Sequence, residues 1–293
     1  MLARQKVVLA VLERAGRPLA PTVFVKMMFL LRQKTALGRD PTFYDFVPYK
    51  YGPFSFALYR ELSSLRNAGY VVPDEEQVQL ATQTQRLTRG VVEELTPATI
   101  SAVTTIVDRY ARMEHKPLLK TVYTQYPWYA SKSELAELLA TPPEKRPAAK
   151  IAVYTVGYEG KSIDGFFDGL LLAGIEAILD VRANPVSRKY GFARKSLADI
   201  AQKLGIDYHH FPELGIVSEE RTDLTDRAAY QRLLDRYERE MLPRQPAALQ
   251  RIVETLRGKP SALLCVEKDV TCCHRGRLAR AVASRTKLPI VDL

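Results

Sequence analysis

The feature that most constrains the fold is an apolar run near the end of the chain that stops abruptly at charged residues. Residues 262–266 are apolar, residues 267–269 are all charged, and a helical pattern opens at His274. This order predicts a buried strand, a polar loop and a helix. In α/β folds such loops lie at the carboxyl edge of a parallel sheet, where ligands bind. The loop is a candidate site because all three cysteines of the chain fall in or beside it: Cys265, Cys272 and Cys273.

Strand and helix patterns alternate through the second half of the chain. This alternation is typical of an α/β domain with a mostly parallel sheet and right-handed crossovers. The predicted strands are 152–156, 177–182, 208–211, 262–266 and 289–293, and the predicted helices are 163–173, 227–240 and 247–257.

The length of 293 residues suits two domains of ordinary size. A boundary is indicated by residues 141–150, which contain three prolines and no apolar pattern. We therefore predict a mainly helical domain over 1–140, a linker over 141–150 and an α/β domain over 151–293.

Composition excludes several classes of protein. No apolar run approaches the ~18 residues of a membrane span, so no membrane partner is expected. The first helix is amphipathic, unlike the apolar core of a signal peptide. Three cysteines provide no even disulfide framework, which favours a reducing cytoplasm. No cofactor is predicted.

The first domain shows the element order of a winged helix-turn-helix. Helical patterns cover 3–15, 21–34 and a segment starting near Ser55, and two short strands follow at 70–72 and 78–80. An aromatic-rich segment before the third helix is expected to end in a Gly-Pro turn. Winged helices bind DNA or RNA, or serve as protein–protein modules, and both uses remain open.

Charge in the first quarter of the chain favours nucleic acid as the partner. Residues 1–73 hold eleven Lys and Arg against four Asp and Glu, whereas residues 151–293 hold 22 against 19. A local basic surplus is the footprint of a phosphate-backbone binder. The predicted contacts to DNA, or to RNA, are Lys50, Arg60 and Arg66.

Four groups of residues in the second domain resemble a known family. They are Gly157-Tyr158-Glu159-Gly160; Asp180-Val181-Arg182 with Pro185, Ser187 and Arg188; Glu213-Leu214-Gly215; and Cys265-Val266-Glu267-Lys268 followed by Cys273-His274-Arg275. Together they are similar to the bacterial and archaeal domain of unknown function 488. The resemblance covers nearly all of 151–293 and implies an α/β sheet domain, but no activity. The first 75 or so residues look like the winged-helix segment of some such proteins, and distantly like antitoxin-associated domains with a Tyr-Gly-Pro turn.

Three kinds of chemistry fit the polar residues of this predicted edge. A thiolate mechanism would use Cys273, whose pKa a helix N-terminus and Arg275 would lower. A zinc site would use Cys265, Cys273 and His274. The spacing lacks a paired C-x2-C chelate, however, and adjacent Cys273 and His274 would need strained geometry to share one ion, so no metal is predicted.

The third chemistry, which we favour, is carboxylate chemistry on a nucleotide or base. Glu267 or Asp180 would act as acid, base or electrostatic stabiliser, with His274 and Cys273 beside them. A ligand like a nucleotide would be held by Arg182, Arg188, Arg275, Tyr158 and Ser187, with Tyr158 or Phe192 stacking on the base. The alternative is that Asp180 and Arg182 pair with each other, because burying an unpaired charge is costly.

These patterns lead to two hypotheses about function. In the first, a DNA-binding protein processes or recognises a nucleotide or base, as a hydrolase that excises bases or handles lesions in DNA repair or defence. In the second, a winged-helix transcriptional regulator or antitoxin-like protein without catalytic activity senses an anionic ligand or a redox state through its cysteines. A protein–protein adaptor is the class that follows.

Overall fold

The protein is described by a computed structural model that covers residues 1–135, 144–221 and 226–293. It forms two compact units, Met1–Lys145 (unit 1) and Arg146–Leu293 (unit 2). The division falls inside the predicted linker, whose residues 141–143 lie outside the described part of the chain. In the described residues, no helix is both long and apolar enough to cross a membrane.

Unit 1 is mainly helical. Its described helices are α1 (Ala3–Ala15), α2 (Pro21–Lys34), α3 (Phe56–Asn67), α4 (Gln85–Glu93), α5 (Pro97–Tyr110) and α6 (His115–Gln125). Helix α2 is central, because a run of nine consecutive residues from Val23 to Leu31 is buried. Helix α3 begins where the Ser55 hydroxyl accepts a hydrogen bond from the Leu58 backbone N–H, a standard N-cap. The last residues of the predicted helical region, 136–140, lie outside the described part.

A β-hairpin precedes α3, where we expected only an aromatic segment closed by a Gly-Pro turn. Strands β1 (Val47–Tyr49) and β2 (Gly52–Phe54) pair antiparallel. Gly52 and Pro53 therefore lie in a strand, and the turn is formed by the two residues before them. Pro48 faces Pro53 across the hairpin. This is the pair without ladder hydrogen bonds, so the missing N–H groups are tolerated.

After α3 the backbone forms two isolated bridges in place of the two predicted short strands. Val71 pairs antiparallel with Leu80, and Val78 pairs antiparallel with Leu19, which lies between α1 and α2. The first pair joins the two predicted strand segments, and the second ties them to the turn after α1.

Unit 2 is an α/β domain. Its described elements are β3 (Val153–Gly157), α7 (Ile163–Leu172), β4 (Ala177–Asp180), α8 (Arg194–Lys203), β5 (Asp207–His210), α9 (Arg227–Arg236), a single π-helical turn (Tyr237–Met241), α10 (Pro246–Gly258), β6 (Ser261–Cys265), α11 (His274–Thr286) and β7 (Ile290–Asp292). Helix α8 was not predicted, because its buried stripe is narrow and mostly polar residues surround it.

Within the described residues the sheet of unit 2 has five strands, all parallel, in the order β5-β4-β6-β3-β7. Gly157 at the end of β3 is in register with Cys265 at the end of β6, and Asp180 at the end of β4 pairs with Leu264. The carboxyl ends of β3, β4 and β6 therefore meet at one edge. Behind that edge, Leu179 and Leu263 join buried residues of α9, α10 and α11 in one core cluster.

Candidate functional site

Two thiols, a carboxylate and an imidazole meet where β6 passes into α11. The Cys265 thiol donates to Oε2 of Glu267 at 3.4 Å, and its Sγ lies 3.7 Å from Nδ1 of His274. The Tyr230 hydroxyl of α9 donates to Oε1 of Glu267 at 3.3 Å. We call Cys265, Glu267, Cys273, His274 and Tyr230 the thiol–carboxylate cluster. Tyr230 was not predicted as a site residue, because no sequence signal distinguishes it from other aromatic residues on helices.

The backbone fixes the orientation of the His274 ring. Its Nε2 lies 2.9 Å from the carbonyl oxygen of Val181, just beyond β4. A carbonyl only accepts hydrogen bonds, so Nε2 carries a proton, and Nδ1 is the ring nitrogen that faces the thiols. The edge of the Tyr237 ring packs against the imidazole at a centroid distance of 5.4 Å.

The pKa shifts of the carboxylate and of one thiol in the cluster have opposite directions. Burial alone would raise the pKa of Glu267, but hydrogen bonds from Cys273, its own backbone and Cys265 outweigh it and hold this pKa below its usual value. Burial and a hydrogen bond with Cys265 raise the pKa of Cys273. The expectation that the helix N-terminus and Arg275 would lower it was wrong, because desolvation of a buried thiol dominates.

A cleft of about 400 Å³ borders the cluster and has Cys273 in its wall. Arg227, Arg277 and Arg280 also line it, and we call it the arginine-lined cleft. Arg277 is positioned by Asp235 at 2.7 Å and Glu238 at 2.8 Å, so part of its charge is already balanced. No sequence pattern marks these arginines as site residues, since they lie on helices rather than in the loops after strands.

Asp180 and Arg182 pair with each other instead of facing a ligand. Nε of Arg182 is 2.8 Å from Oδ1 of Asp180, and Nη2 is 2.5 Å from Oδ2. The remaining donors of Arg182 reach the Phe192 carbonyl and the Tyr158 hydroxyl, and the Tyr208 hydroxyl donates to Asp180 at 2.6 Å. Every charged group here is satisfied internally, so neither the predicted acid at 180 nor the predicted anion contact at 182 is available.

Arg275 also acts inside the protein rather than on a ligand. Its guanidinium donates to the backbone carbonyls of Glu267 and Lys268, and its Nε lies 3.4 Å from the Thr155 hydroxyl. Gly157 lets β3 pass directly beneath this loop, because a Cβ there would overlap the Glu267 carbonyl. Arg275 and Gly157 thus fix the backbone that carries Glu267.

The predicted stacking residues stack on each other. The rings of Tyr158 and Phe192 lie 4.2 Å apart at an interplanar angle of 13°, and both residues are buried, so neither offers a free face to a base. Ser187 accepts a hydrogen bond from the Lys189 N–H at 3.1 Å. Arg188 is exposed, and among the described residues its guanidinium has no hydrogen bond or ion pair; it is not brought to the cluster by any contact.

The three predicted nucleic-acid contacts in unit 1 differ in their surroundings. Arg60 is exposed on α3. Lys50, in the turn of the hairpin, pairs with Glu134 at 3.3 Å. Arg66 is partly buried and donates to the Asp74 carbonyl at 2.5 Å, where it closes the turn between the two bridges. Arg60 remains the contact candidate on α3 because it is exposed, whereas Arg66 is partly buried and holds the Asp74 carbonyl.

The ligand atoms of Cys265, Cys273 and His274 all lie within 4.8 Å of one another. The strain expected between adjacent Cys273 and His274 does not occur. Cys273 has an ordinary extended backbone, with φ −140° and ψ 140°, and His274 begins α11. The two side chains converge because a strand-like residue leads directly into the first turn of a helix.

Comparison with protein families agrees with the motifs of unit 2. The family model described as "Domain of unknown function DUF488" matches residues 162–282, so the predicted resemblance is confirmed for this part of the chain. The match includes Asp180, Glu267 and the start of α11, but begins after Gly157 and Tyr158. Comparison with curated proteins and with solved structures gave no match.

Proposed function

We propose that the protein binds DNA through unit 1 and processes a nucleotide or base of that DNA at the thiol–carboxylate cluster of unit 2. The observation that carries this proposal is the placement of Glu267. Its carboxylate is held by the Cys265 thiol and the Tyr230 hydroxyl and by Cys273, and Cys273 lies in the wall of a cleft lined by arginines.

The cluster has the parts that acid–base chemistry requires. A positioned carboxylate accepts or donates a proton, or stabilises positive charge that develops in a transition state. Arginines such as Arg227 suit the binding of phosphate, since the guanidinium offers several donors in a planar fork. Arg280 also lies 3.6 Å from Glu238, so part of its charge is balanced. The substrate-binding role predicted for Arg182 and Arg275 thus passes to the arginine-lined cleft.

Unit 1 supports DNA binding as a winged helix through the surface of α3. The exposed residues Arg60, Ser63, Ser64 and Asn67 recur at helical spacing and form one polar face. The acidic residue of this helix, Glu61, points inward, where it binds Arg4 at 2.5 Å and Tyr44 at 2.6 Å. Its negative charge is therefore neutralised away from the polar face. The bridges of Val71 with Leu80 and of Leu19 with Val78 support this proposal, because they lie in the segment after α3 and a winged helix has its wing after its third helix.

The test uses the full chain with duplex DNA that is normal, mismatched or damaged. Glu267→Gln keeps the shape of the side chain and removes its ionisation, so turnover should fall by about 10²–10⁴-fold with DNA affinity unchanged. The matched control is Glu254→Gln, on the surface of α10, where the carboxylate only accepts a bond from Gln250. Turnover that survives Glu267→Gln would remove the proposed role of this residue.

A second function is favoured by one observation, the proximity of the buried thiols of Cys265 and Cys273. In this alternative the protein is a regulator whose DNA affinity responds to thiol oxidation. No turnover on any of the DNA substrates, together with a change of DNA affinity after oxidation that Cys273→Ser abolishes, would establish the regulator instead of the enzyme.

A further inference from the structure

Two cysteine sulfurs and one imidazole nitrogen converge in the interior of unit 2, and acid–base chemistry by Glu267 does not require that convergence. Cys265 and Cys273 are each 1% exposed and His274 is 2% exposed. We propose that Cys265, Cys273 and His274 together bind one zinc ion, and that the Glu267 carboxylate lies beside the remaining coordination position.

The spacing of the donor atoms fits tetrahedral zinc. With Zn–S near 2.3 Å and Zn–N near 2.0 Å, a tetrahedral ion separates its sulfur and nitrogen ligands by ~3.5 Å and its two sulfurs by ~3.8 Å. Sγ of Cys265 lies 3.7 Å from Nδ1 of His274, and all three ligand atoms lie within 4.8 Å of one another. Only small side-chain adjustments are needed to close this set around an ion.

The imidazole already has the orientation that a ligand needs. The Nε2–H of His274 is bound to the Val181 carbonyl at 2.9 Å, which leaves Nδ1 as the free nitrogen. A backbone carbonyl on the second ring nitrogen is the usual outer partner of a metal-binding histidine, because it fixes the tautomer and the ring plane.

The donor set selects the kind of metal. Two cysteine sulfurs and one imidazole suit zinc and disfavour Mg²⁺ and Ca²⁺, which prefer oxygen ligands. Three protein ligands with one remaining position are typical of zinc sites that take part in chemistry, whereas structural sites have four protein ligands. Glu267, whose Oε2 is 3.4 Å from Sγ of Cys265, is the group next to that position.

Access for the ion is provided by the arginine-lined cleft. Cys273 contributes to its wall, so one ligand of the buried set borders solvent-filled space. The third cysteine, Cys272, is partly exposed and its Sγ lies 3.7 Å from Oδ2 of Asp269. It is adjacent in sequence but outside the donor set, which makes it a matched control.

The experiment titrates the reduced, metal-free full chain with Zn²⁺ and, separately, with Co²⁺, whose visible spectrum reports thiolate ligation. The wild type and Cys272→Ser should each bind one ion per chain with thiolate-to-cobalt absorption. Cys273→Ser and His274→Gln should lose affinity by more than the ~10–100-fold that follows loss of an outer partner. Equal losses in Cys272→Ser and Cys273→Ser, or no stoichiometric binding by the wild type, would overturn the proposal.

A second measurement covers variants that fold poorly. Zn²⁺ should raise the melting temperature of the wild type and of Cys272→Ser, because a ligand that binds only the folded state stabilises it. Mg²⁺ should not, and a wild-type melting temperature that Zn²⁺ leaves unchanged would also overturn the proposal. Neither readout involves DNA or turnover, so the zinc site and the proposed function stand or fall separately.

Discussion

Arg182 and Asp180, two residues apart at the end of β4, form a buried ion pair in which the guanidinium and the carboxylate make two parallel hydrogen bonds. Burial opposes the charge of Arg182, but the hydrogen bonds and charge of Asp180 prevail and raise the pKa of this arginine. The pair links the backbone after β4 to Tyr158 and Phe192. Its role is therefore to hold the carboxyl edge of the sheet in shape.

Breaking this pair should destabilise unit 2. Arg182→Met leaves the Asp180 carboxylate buried without its counter-ion, and loss of one partner of a buried pair costs about 3–5 kcal/mol. Arg251→Met breaks the exposed pair with Glu213 and should cost no more than about 1 kcal/mol. Urea denaturation followed by circular dichroism measures both. Equal, small effects would show that the buried pair contributes little.

Replacement of Gly157 should disturb the loop that carries Glu267. A Cβ at this position would overlap the Glu267 carbonyl, so Gly157→Ala should cost about 1–3 kcal/mol and make Cys265 react faster with alkylating agents. In Gly169→Ala the new Cβ on α7 meets nothing within 4 Å, and the change should stabilise by about 0.5–1 kcal/mol. Denaturation midpoints and thiol alkylation rates are measured for both variants. If the two variants have the same stability and the same Cys265 alkylation rate, the close approach of β3 to the loop does not contribute to either property.

A buried lysine makes the stability of unit 1 depend on pH. Lys26 on α2 is 2% exposed and donates to the Pro53 carbonyl at 2.9 Å, and burial lowers its pKa to about 7. Between about pH 7 and the ordinary lysine pKa of ~10.4 the unfolded chain binds the extra proton. The free energy of unfolding of unit 1 therefore rises with pH through this window. Below about pH 7 the buried Lys26 is charged in the folded state, and the full cost of desolvating that charge opposes folding.

Lys26→Met should thus stabilise unit 1 at pH 6 by roughly 1–3 kcal/mol, with a smaller gain at pH 9. Lys34→Met, at the exposed end of the same helix, should change stability little at either pH. Fluorescence of Trp128, the single tryptophan of the chain, follows the unfolding of unit 1. A gain from Lys26→Met that does not depend on pH would contradict the lowered pKa.

DNA binding by α3 should depend on salt through Arg60. The slope of log affinity against log salt is negative, and each lost phosphate contact reduces its magnitude by about 0.9. Arg60→Ala should therefore make the salt dependence shallower by that amount. Arg112→Ala, an exposed arginine just beyond α5, is the control. Arg66→Ala should instead reduce stability, because its guanidinium holds the Asp74 carbonyl. Salt-independent association of the wild type would favour a protein-interaction module.

Pattern alone was enough to predict the order of the strands in unit 2 and of its helices other than α8. The apolar runs of β3, β4 and β6 and the helical pattern of α11 are continuous and bounded by polar loops. Local sequence therefore determines where these elements form. The β1–β2 hairpin and α8 were missed. The hairpin was missed because each of its strands contains a proline, a residue that is rare in strands. Helix α8 was missed because it has only a narrow apolar stripe.

The sequence by itself determined that polar residues follow parallel strands, and this places Glu267, Cys273 and His274 at one edge of a sheet. Only the tertiary structure decided which of them face one another. Asp180 and Arg182 are not available to a ligand because buried opposite charges pair with each other. Arg275 is not available because it donates hydrogen bonds to the loop carbonyls. Tyr230 and the cleft arginines enter from helices whose packing no local pattern encodes, and the cysteine and histidine side chains converge only once β6 and α11 are fixed in space.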